Sequence, residues 1–215
     1  MRHLICLPAY NESENIVFML EALRRAGYQH IVVSDAQSLD GTADIARTNN
    51  ARVLPRSGHG KGFAVKDALI YAQEYKYDSL ILLDCDRTYP VDSIATLIAA
   101  FSDVDMVVGT RNFKDISFLR RMANHLMTAW TNLVFNAQVK DMATGMRMLR
   151  VNRFAGKITA QSFDVEPQMH CLALKNKWRI SEVAIPYNKR VGESKINLSH
   201  LFLILYRVVA ERLKN

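Results

Sequence analysis

"LILLDCDRTYP", residues 80 to 90, decides how this chain is read. Four apolar residues, Leu80 to Leu83, deliver two aspartates one residue apart, Asp84 and Asp86, and a turn follows at Tyr89-Pro90. A short run that is apolar on both faces predicts a buried strand of a parallel sheet covered by helices. Such sheets hold ligands beyond the carboxyl ends of their strands, where Asp84 and Asp86 fall.

The flanking sequence repeats the pattern. His3 to Leu7 predicts a strand ending at Pro8, followed by a helix from Ser13 to Ala26 that Gly27 stops. Ile31 to Val33 is a second strand, with a helix opening near Gly41-Thr42, and Arg52 to Leu54 is a third. Lys61 to Tyr75 and Val91 to Phe101 are helical, and Met106 to Val108 is another strand. Strands alternating with helices predict βαβ units: an α/β domain with a mostly parallel central sheet flanked by helices.

The second half follows a different rule. Leu119, Met122, Leu126, Trp130, Leu133 and Ala137 recur at helical spacing within Phe118 to Ala137. Met146 to Leu149 suits a strand, Phe163 to Leu174 a helix, and Trp178 to Tyr187 an edge strand running into a loop. Leu198, Phe202, Leu205, Val209 and Leu213 line one face of a last helix. The stripe over Phe118 to Ala137 suits a core helix. Arg120, Arg121, His125 and Trp130 beside it equally suit a helix lying at a membrane surface.

Three polar loops follow strands: PAYNE at 8–12, SDAQSLDGT at 34–42 and DCD at 84–86. Two carboxylates as close as Asp84 and Asp86 repel unless a cation joins them, and hard oxygen ligands suit Mg²⁺ or Mn²⁺. Capping and turn formation before Val91 is the competing use of the same residues. SGHGKG at 57–62 is not a Walker loop, because Gly62 stands where Ser or Thr is required after Lys61. Its glycines permit close backbone approach, and Lys61 at a helix start suits either a phosphate or a plain turn.

Bulk properties narrow the partners. The chain has 215 residues, enough for one domain with a full core. The 28 Lys+Arg against 21 Asp+Glu give a net charge of +7, which suits a polyanionic ligand or an anionic membrane. The basic residues are dispersed and carry no RNP-type motif, so nucleic acid is not the expected partner. Cys6, Cys85 and Cys171 form no CxxC pair, which favours reduced thiols. The N-terminus lacks a secretory h-region and no window reaches the length of a membrane span, so a cytoplasmic chain, peripheral at a membrane if it touches one, is expected.

Taken in order, PAYNE, the S-x-D-G-T of Ser38 to Thr42, GKG at 60–62 and D-x-D-x-T-Y-P at 84–90 resemble a family 2 glycosyltransferase of the GT-A fold. VVGTRN at 107–112, D-x-x-T-G-x-R at 141–147, FDVEPQM at 163–169 and RVGESK at 190–195 resemble its dolichyl- and polyprenyl-phosphate sugar transferase branch. The resemblance implies one domain over 1–215: a nucleotide-sugar half, 1–112, and an acceptor-side half, 113–215, ending in an amphipathic helix. It implies an inverting hexose transfer from a donor of the GDP-mannose or UDP-glucose type to a polyprenyl phosphate. By motif, Pro8, Tyr10, Glu12, Asp35 and Asp40 hold base and ribose, Lys61 and Asp84 join the donor site, and Asp84, Asp86 and Thr88 hold the metal. Ala36 stands where the family usually has a second acid, Gln37 where Gly or Asn is usual, and Met146 where Phe is common.

Charge completes the expectation. A phosphate acceptor is already ionised and needs cations rather than a base; Arg111, Arg147, Arg190 and Lys195 suit that role. A hydroxyl acceptor requires a base, with Glu166 and Asp141 as candidates. For Asp141 the favoured reading is a structural carboxylate bonded to Arg147 or to a backbone amide. A soluble hydroxyl acceptor and a non-catalytic nucleotide-sugar-binding module are the two competing functions.

Overall fold

A computed structural model describes residues 1–112, 116–191 and 198–214. Its strands are β1 (His3–Ala9), β2 (Ile31–Asp35), β3 (Arg52–Leu54), β4 (Ser79–Leu82), β5 (Met106–Arg111), β6 (Arg147–Arg150) and β7 (Ile180–Ile185). The helices are α1 (Ser13–Arg25), α2 (Thr42–Thr48), α3 (Lys61–Glu74), α4 (Ser93–Ala99), α5 (Phe118–Phe135), α6 (Val151–Phe154), α7 (Val165–Lys175) and α8 (Leu198–Leu213). The seven strands form one sheet in the order β3-β2-β1-β4-β6-β5-β7. Pairing is parallel except at β6, which runs antiparallel to both β4 and β5. β7 is an edge strand, as expected, and pairs parallel with β5.

Every residue of β2 and β4 is buried, the signature of strands covered on both faces. Alternation along β1 and through β4 splits side chains between two cores. Ile5, Leu7, Ile81 and Leu83 pack with Ile16, Met19 and Leu20 of α1 and with Ile94 and Leu97 of α4. Leu4, Cys6, Leu80 and Leu82 pack with Val65, Ala68 and Leu69 of α3 and with Val165 and Met169 of α7. Each fully buried Leu or Ile contributes about 1.5–3 kcal/mol of transfer free energy, so these layers hold the sheet.

Most element ends shift by one or two residues from expectation, and β1 and α6 differ most plainly. β1 does not stop at Pro8: Pro8 and Ala9 pair with Ser34 and Asp35, so the strand carries its ligand-side end two residues further. The four-residue helix α6, packed on α3 through Val151 and Phe154, has too little periodicity to be read from sequence.

The helices α5, α7 and α8 form a smaller third core of Met127, Val139, Met142, Cys171, Ile204 and Val208. Here the sequence periodicity points the wrong way for a core. The stripe picked out on α5 faces solvent: Leu119 is 70%, Met122 52%, Leu126 51% and Leu133 74% exposed. Its buried face is Asn124, Met127, Thr128 and Thr131. On α8, Phe202 and Leu213 of the expected face are exposed, while Ile204 and Val208 are buried. Among the described residues, no helix is long and apolar enough to cross a membrane.

Candidate active site

The loops after β1 and β2 are knitted together by side chains that the motifs singled out. Ser38 Oγ and Thr42 Oγ1 accept from the Asn11 and Glu12 amides at 2.8 and 2.9 Å. Asp35 accepts from the Ser38 amide and hydroxyl at 2.9 and 2.5 Å. Asp40 accepts from the Ser13 and Thr42 amides at 2.9 and 3.0 Å, fastening the starts of α1 and α2. Burial alone would raise the Asp40 pKa, but the donors of Thr42 and Ser13 hold it down to about 2. Asp35 and Asp40 are thus loop fasteners, and neither lines the adjoining cavity; Pro8, Tyr10, Glu12 and Ala36 do. Gln37 sits at φ 59, a left-handed conformation that suits the Gly or Asn usual at this position.

Beyond β4, Asp84 and Asp86 reach the cavity floor. The Lys61 ammonium lies 2.5 Å from Asp84 Oδ1 and 2.6 Å from Glu166 Oε1, bridging the two carboxylates. Burial would strip the Lys61 proton, but Asp84 and Glu166 outweigh it and raise the pKa well above the ordinary lysine value. Arg190 Nη2 lies 2.5 Å from Asp86 Oδ2. The segment after β7 brings it there, with the Asn188 and Val191 amides donating to the Thr88 and Asp86 carbonyls. Burial and then the nearby Asp84 raise the Asp86 pKa, opposed by Arg190 and Thr88. Thr88 is fully buried and outside the cavity lining; its hydroxyl donates to Asp86 Oδ1 at 2.5 Å. It orients Asp86 instead of facing a ligand.

Glycines set this geometry by close approach. A Cβ on Gly62 would lie 2.2 Å from the Ala160 carbonyl oxygen, and one on Gly145 would lie 2.1 Å from Asp84 Oδ2. The GKG turn therefore packs its glycines against the chain's own loop before α7, and Gly145 backs the Asp84 carboxylate.

At the end of β5, Arg111 grips Asp141 bidentately, Nε to Oδ2 and Nη2 to Oδ1, both at 2.8 Å. Asp141 is fully buried and also accepts from the Arg111 and Ala143 amides, so it is structural, but its arginine is Arg111 and not Arg147. Arg147 is fully buried too; it donates to the Thr144 and Met142 carbonyls and bonds His170 Nδ1 at 2.7 Å. The expectation that Arg147 meets the acceptor is corrected: it anchors the 141–145 loop from inside. Arg111, Glu166 and Arg190 line the cavity, whereas Lys195 lies outside the described residues.

The cavity, about 660 Å³, runs without a break from Pro8 and Tyr10 to an apolar end walled by Ile116, Ala123, Met127, Leu201 and Ile204. Four polar lining residues were not singled out from the sequence: Arg56, His59, Asn124 and Tyr187. Arg56 and His59 follow β3, so the strand-end rule applied to that loop would have found them. Asn124 and Tyr187 carry no local signal. Asn124 Oδ1 accepts from the Ala143 amide at 3.0 Å, which fixes the amide's orientation and leaves its Nδ2 buried without a hydrogen-bond partner among the described residues.

Asp84 and Asp86 offer the hard oxygens that Mg²⁺ or Mn²⁺ prefers. Among the described residues no group of three His, Cys, Asp or Glu side chains gathers to hold a metal alone. Two carboxylates fit a cation whose remaining ligands come from donor phosphates and water.

A mostly parallel sheet with an acidic pair at a strand end, opening on one long cleft, defines a GT-A glycosyltransferase. The chain belongs to glycosyl transferase family 2, whose model matches residues 4–157. Two similar proteins of Haloferax volcanii are glycosyltransferase AglJ, 28% identical over 94% of this chain and 70% of its own, and a dolichyl-phosphate hexose transferase, 27% identical over 90% and 86%. Glucosyl-3-phosphoglycerate synthase from Mycobacterium tuberculosis, in complex with Mn²⁺, UDP and phosphoglyceric acid, shares the fold. Its TM-score is 0.77 at 18% identity, covering 99% of this chain and 77% of that one.

Proposed function

We propose that this chain transfers a hexose, with inversion, from a nucleoside diphosphate sugar to a polyprenyl phosphate at a membrane surface, with Mg²⁺ or Mn²⁺ as cofactor. The observation that carries this reading is the continuity of the cavity. One end has the polar chemistry of a nucleotide sugar; the other is an apolar trough between α5, α7 and α8 that suits an isoprenoid chain. The similarity to a dolichyl-phosphate hexose transferase supports the same acceptor class.

In the proposed reaction an acceptor phosphate oxygen attacks the sugar's anomeric carbon. The bond from that carbon to the donor diphosphate breaks, and its electron pair leaves on the nucleoside diphosphate. A bound divalent cation would neutralise charge on that diphosphate, held by Asp84 and Asp86. Pro8, Tyr10, Glu12 and Lys61 hold the donor. The acceptor arrives ionised, so no general base is required; it needs donors to hold it in line. Arg111, Arg190 and Asn124 line the cavity for that purpose, joined by Arg120, one turn before Asn124 on α5. The exposed stripes Leu119, Met122, Leu126 and Phe202, Tyr206 then rest on the lipid surface that carries the acceptor.

The test is a transfer screen of UDP- and GDP-sugars with Mg²⁺ or Mn²⁺, with and without a short polyprenyl phosphate in anionic vesicles. Transfer to the lipid phosphate is expected, together with co-sedimentation that weakens in high salt. Transfer only to hydroxyl acceptors, with no vesicle binding at low salt, overturns the lipid assignment.

A further inference from the structure

Glu166 is the carboxylate a hydroxyl-acceptor mechanism would use as base, yet its geometry serves another end. It is 6% exposed, on the first turn of α7, and its Oε1 is 2.6 Å from Lys61 Nζ. Lys61 opens α3, where the positive end of the helix dipole disfavours a cation. Two carboxylates offset that penalty: Asp84 from the β4 end and Glu166 from α7. The backbone is built to bring the two helices together. A Cβ on Gly60 would lie 2.3 Å from the Gln161 carbonyl oxygen and one on Gly62 2.2 Å from that of Ala160, so the loop leading into α7 lies directly on the Lys61 turn. Lys61 is thus held from both halves of the molecule.

We propose that Glu166 is a positioning residue: it holds the Lys61 ammonium at Asp84, where Lys61 meets the donor diphosphate. The inference rests on the donor site proposed above and extends it to the acceptor-side helix. Glu166 removes no proton. It acts through Lys61, so its removal has no effect of its own once Lys61 is gone. It also makes the donor site depend on α7, a helix that packs against α8 and α5.

The experiment is a double-mutant cycle on binding of UDP and GDP, with and without Mn²⁺, by calorimetry, alongside thermal melts. Lys61→Met is expected to weaken nucleoside diphosphate binding about 10–100-fold, the scale of a lost charge-assisted contact to phosphate. Glu166→Gln, which keeps the side chain's size, should weaken it about 3–10-fold through misplacement of Lys61. The double variant should bind no worse than Lys61→Met, because neighbours acting through one another are non-additive. Glu166→Gln should also leave the acid limb of the pH–rate profile in place. Additive losses overturn the proposal, as does Glu166→Gln binding nucleotide like wild type. So does a lost acid limb, which would mark Glu166 as a base. If Lys61→Met melts out, Lys61→Gln carries the cycle. Wild type that binds neither nucleotide defeats the donor reading and this inference with it, whereas a failed cycle with intact nucleotide binding defeats only the inference.

Discussion

Helices α1 and α5 are both amphipathic, and they use the property in opposite directions. On α1 the apolar face, Ile16, Met19, Leu20 and Leu23, is buried against the sheet. On α5 the regular stripe of Leu119, Met122, Leu126 and Leu133 faces out, while polar Asn124, Thr128 and Thr131 face in. Periodicity therefore reports that a face is apolar, not what covers it. The outward, greasier face of α5 is the one proposed above to rest on the lipid surface. The division matches the two ends of the cleft: α1 supports the donor loops, and α5 walls the trough proposed for the lipid.

Breaking the donor end is expected to have the largest effect. Asp86→Ala should reduce transfer by about 10³-fold or more, because it removes a carboxylate from the pair proposed to hold the cation that neutralises the departing diphosphate. Asp86 is buried and paired with Arg190, so thermal melts of the same variant separate lost chemistry from lost stability. Turnover near wild type at saturating Mn²⁺ would remove Asp86 from the metal site.

The acceptor end predicts a different kind of damage. Arg111→Ala leaves Asp141, fully buried, without its guanidinium. Breaking one partner of a buried pair costs about 3–5 kcal/mol, so here stability and activity should fall together. A stable Arg111→Ala protein with only a raised acceptor KM would show that the pair is dispensable to the fold.

The helix comparison itself can be tested by substituting the outward face of α5 and the inward face of α1. Leu126→Asp with Leu133→Asp should leave the unfolding free energy within about 0.5 kcal/mol of wild type for each exposed change. It should weaken binding to anionic vesicles about tenfold, since two apolar side chains are withdrawn from the interface. Leu20→Ala on α1 should cost about 2–5 kcal/mol instead, through a cavity in the core. If the α5 variant unfolds, the stripe is a core face after all. If it binds vesicles unchanged, the lipid contact lies elsewhere.

What the sequence disclosed follows from how local each signal is. The parallel sheet was legible because β2 and β4 contain the short apolar runs Ile31 to Val33 and Leu80 to Leu82, and the acidic pair because Asp84 and Asp86 follow the second of them. Arg147 was misplaced because a motif position does not say which way a side chain turns. Its partners, His170 and the Met142 and Thr144 carbonyls, exist only after β6 and α7 meet. Asn124 was invisible for the same reason: a single polar residue on a helix becomes informative only when Ala143 fixes one end of its amide.

Asp40 gives the smallest and sharpest test, because a motif made it a donor ligand and its contacts make it a clamp. Its carboxylate holds the Ser13 and Thr42 amides and lies on the exposed side of the loop. A folded pKa lowered to about 2 from the ordinary 3.8 contributes stability that is fully present above the ordinary value. That contribution is lost as pH falls through about 2. Solvent screening at this exposed site keeps its worth to about 0.5–1 kcal/mol, within the range of a helix cap. Asp40→Asn should therefore lower stability slightly and evenly above pH 4, and the gap to wild type should close between about pH 4 and pH 2. Donor KM should change less than about threefold, because the carboxylate is bonded to Ser13 and Thr42 and does not line the cavity. Urea melts at several pH values together with donor KM decide the matter. A tenfold rise in donor KM with unchanged melts would return Asp40 to the ribose and make the first two loops a binding surface in their own right.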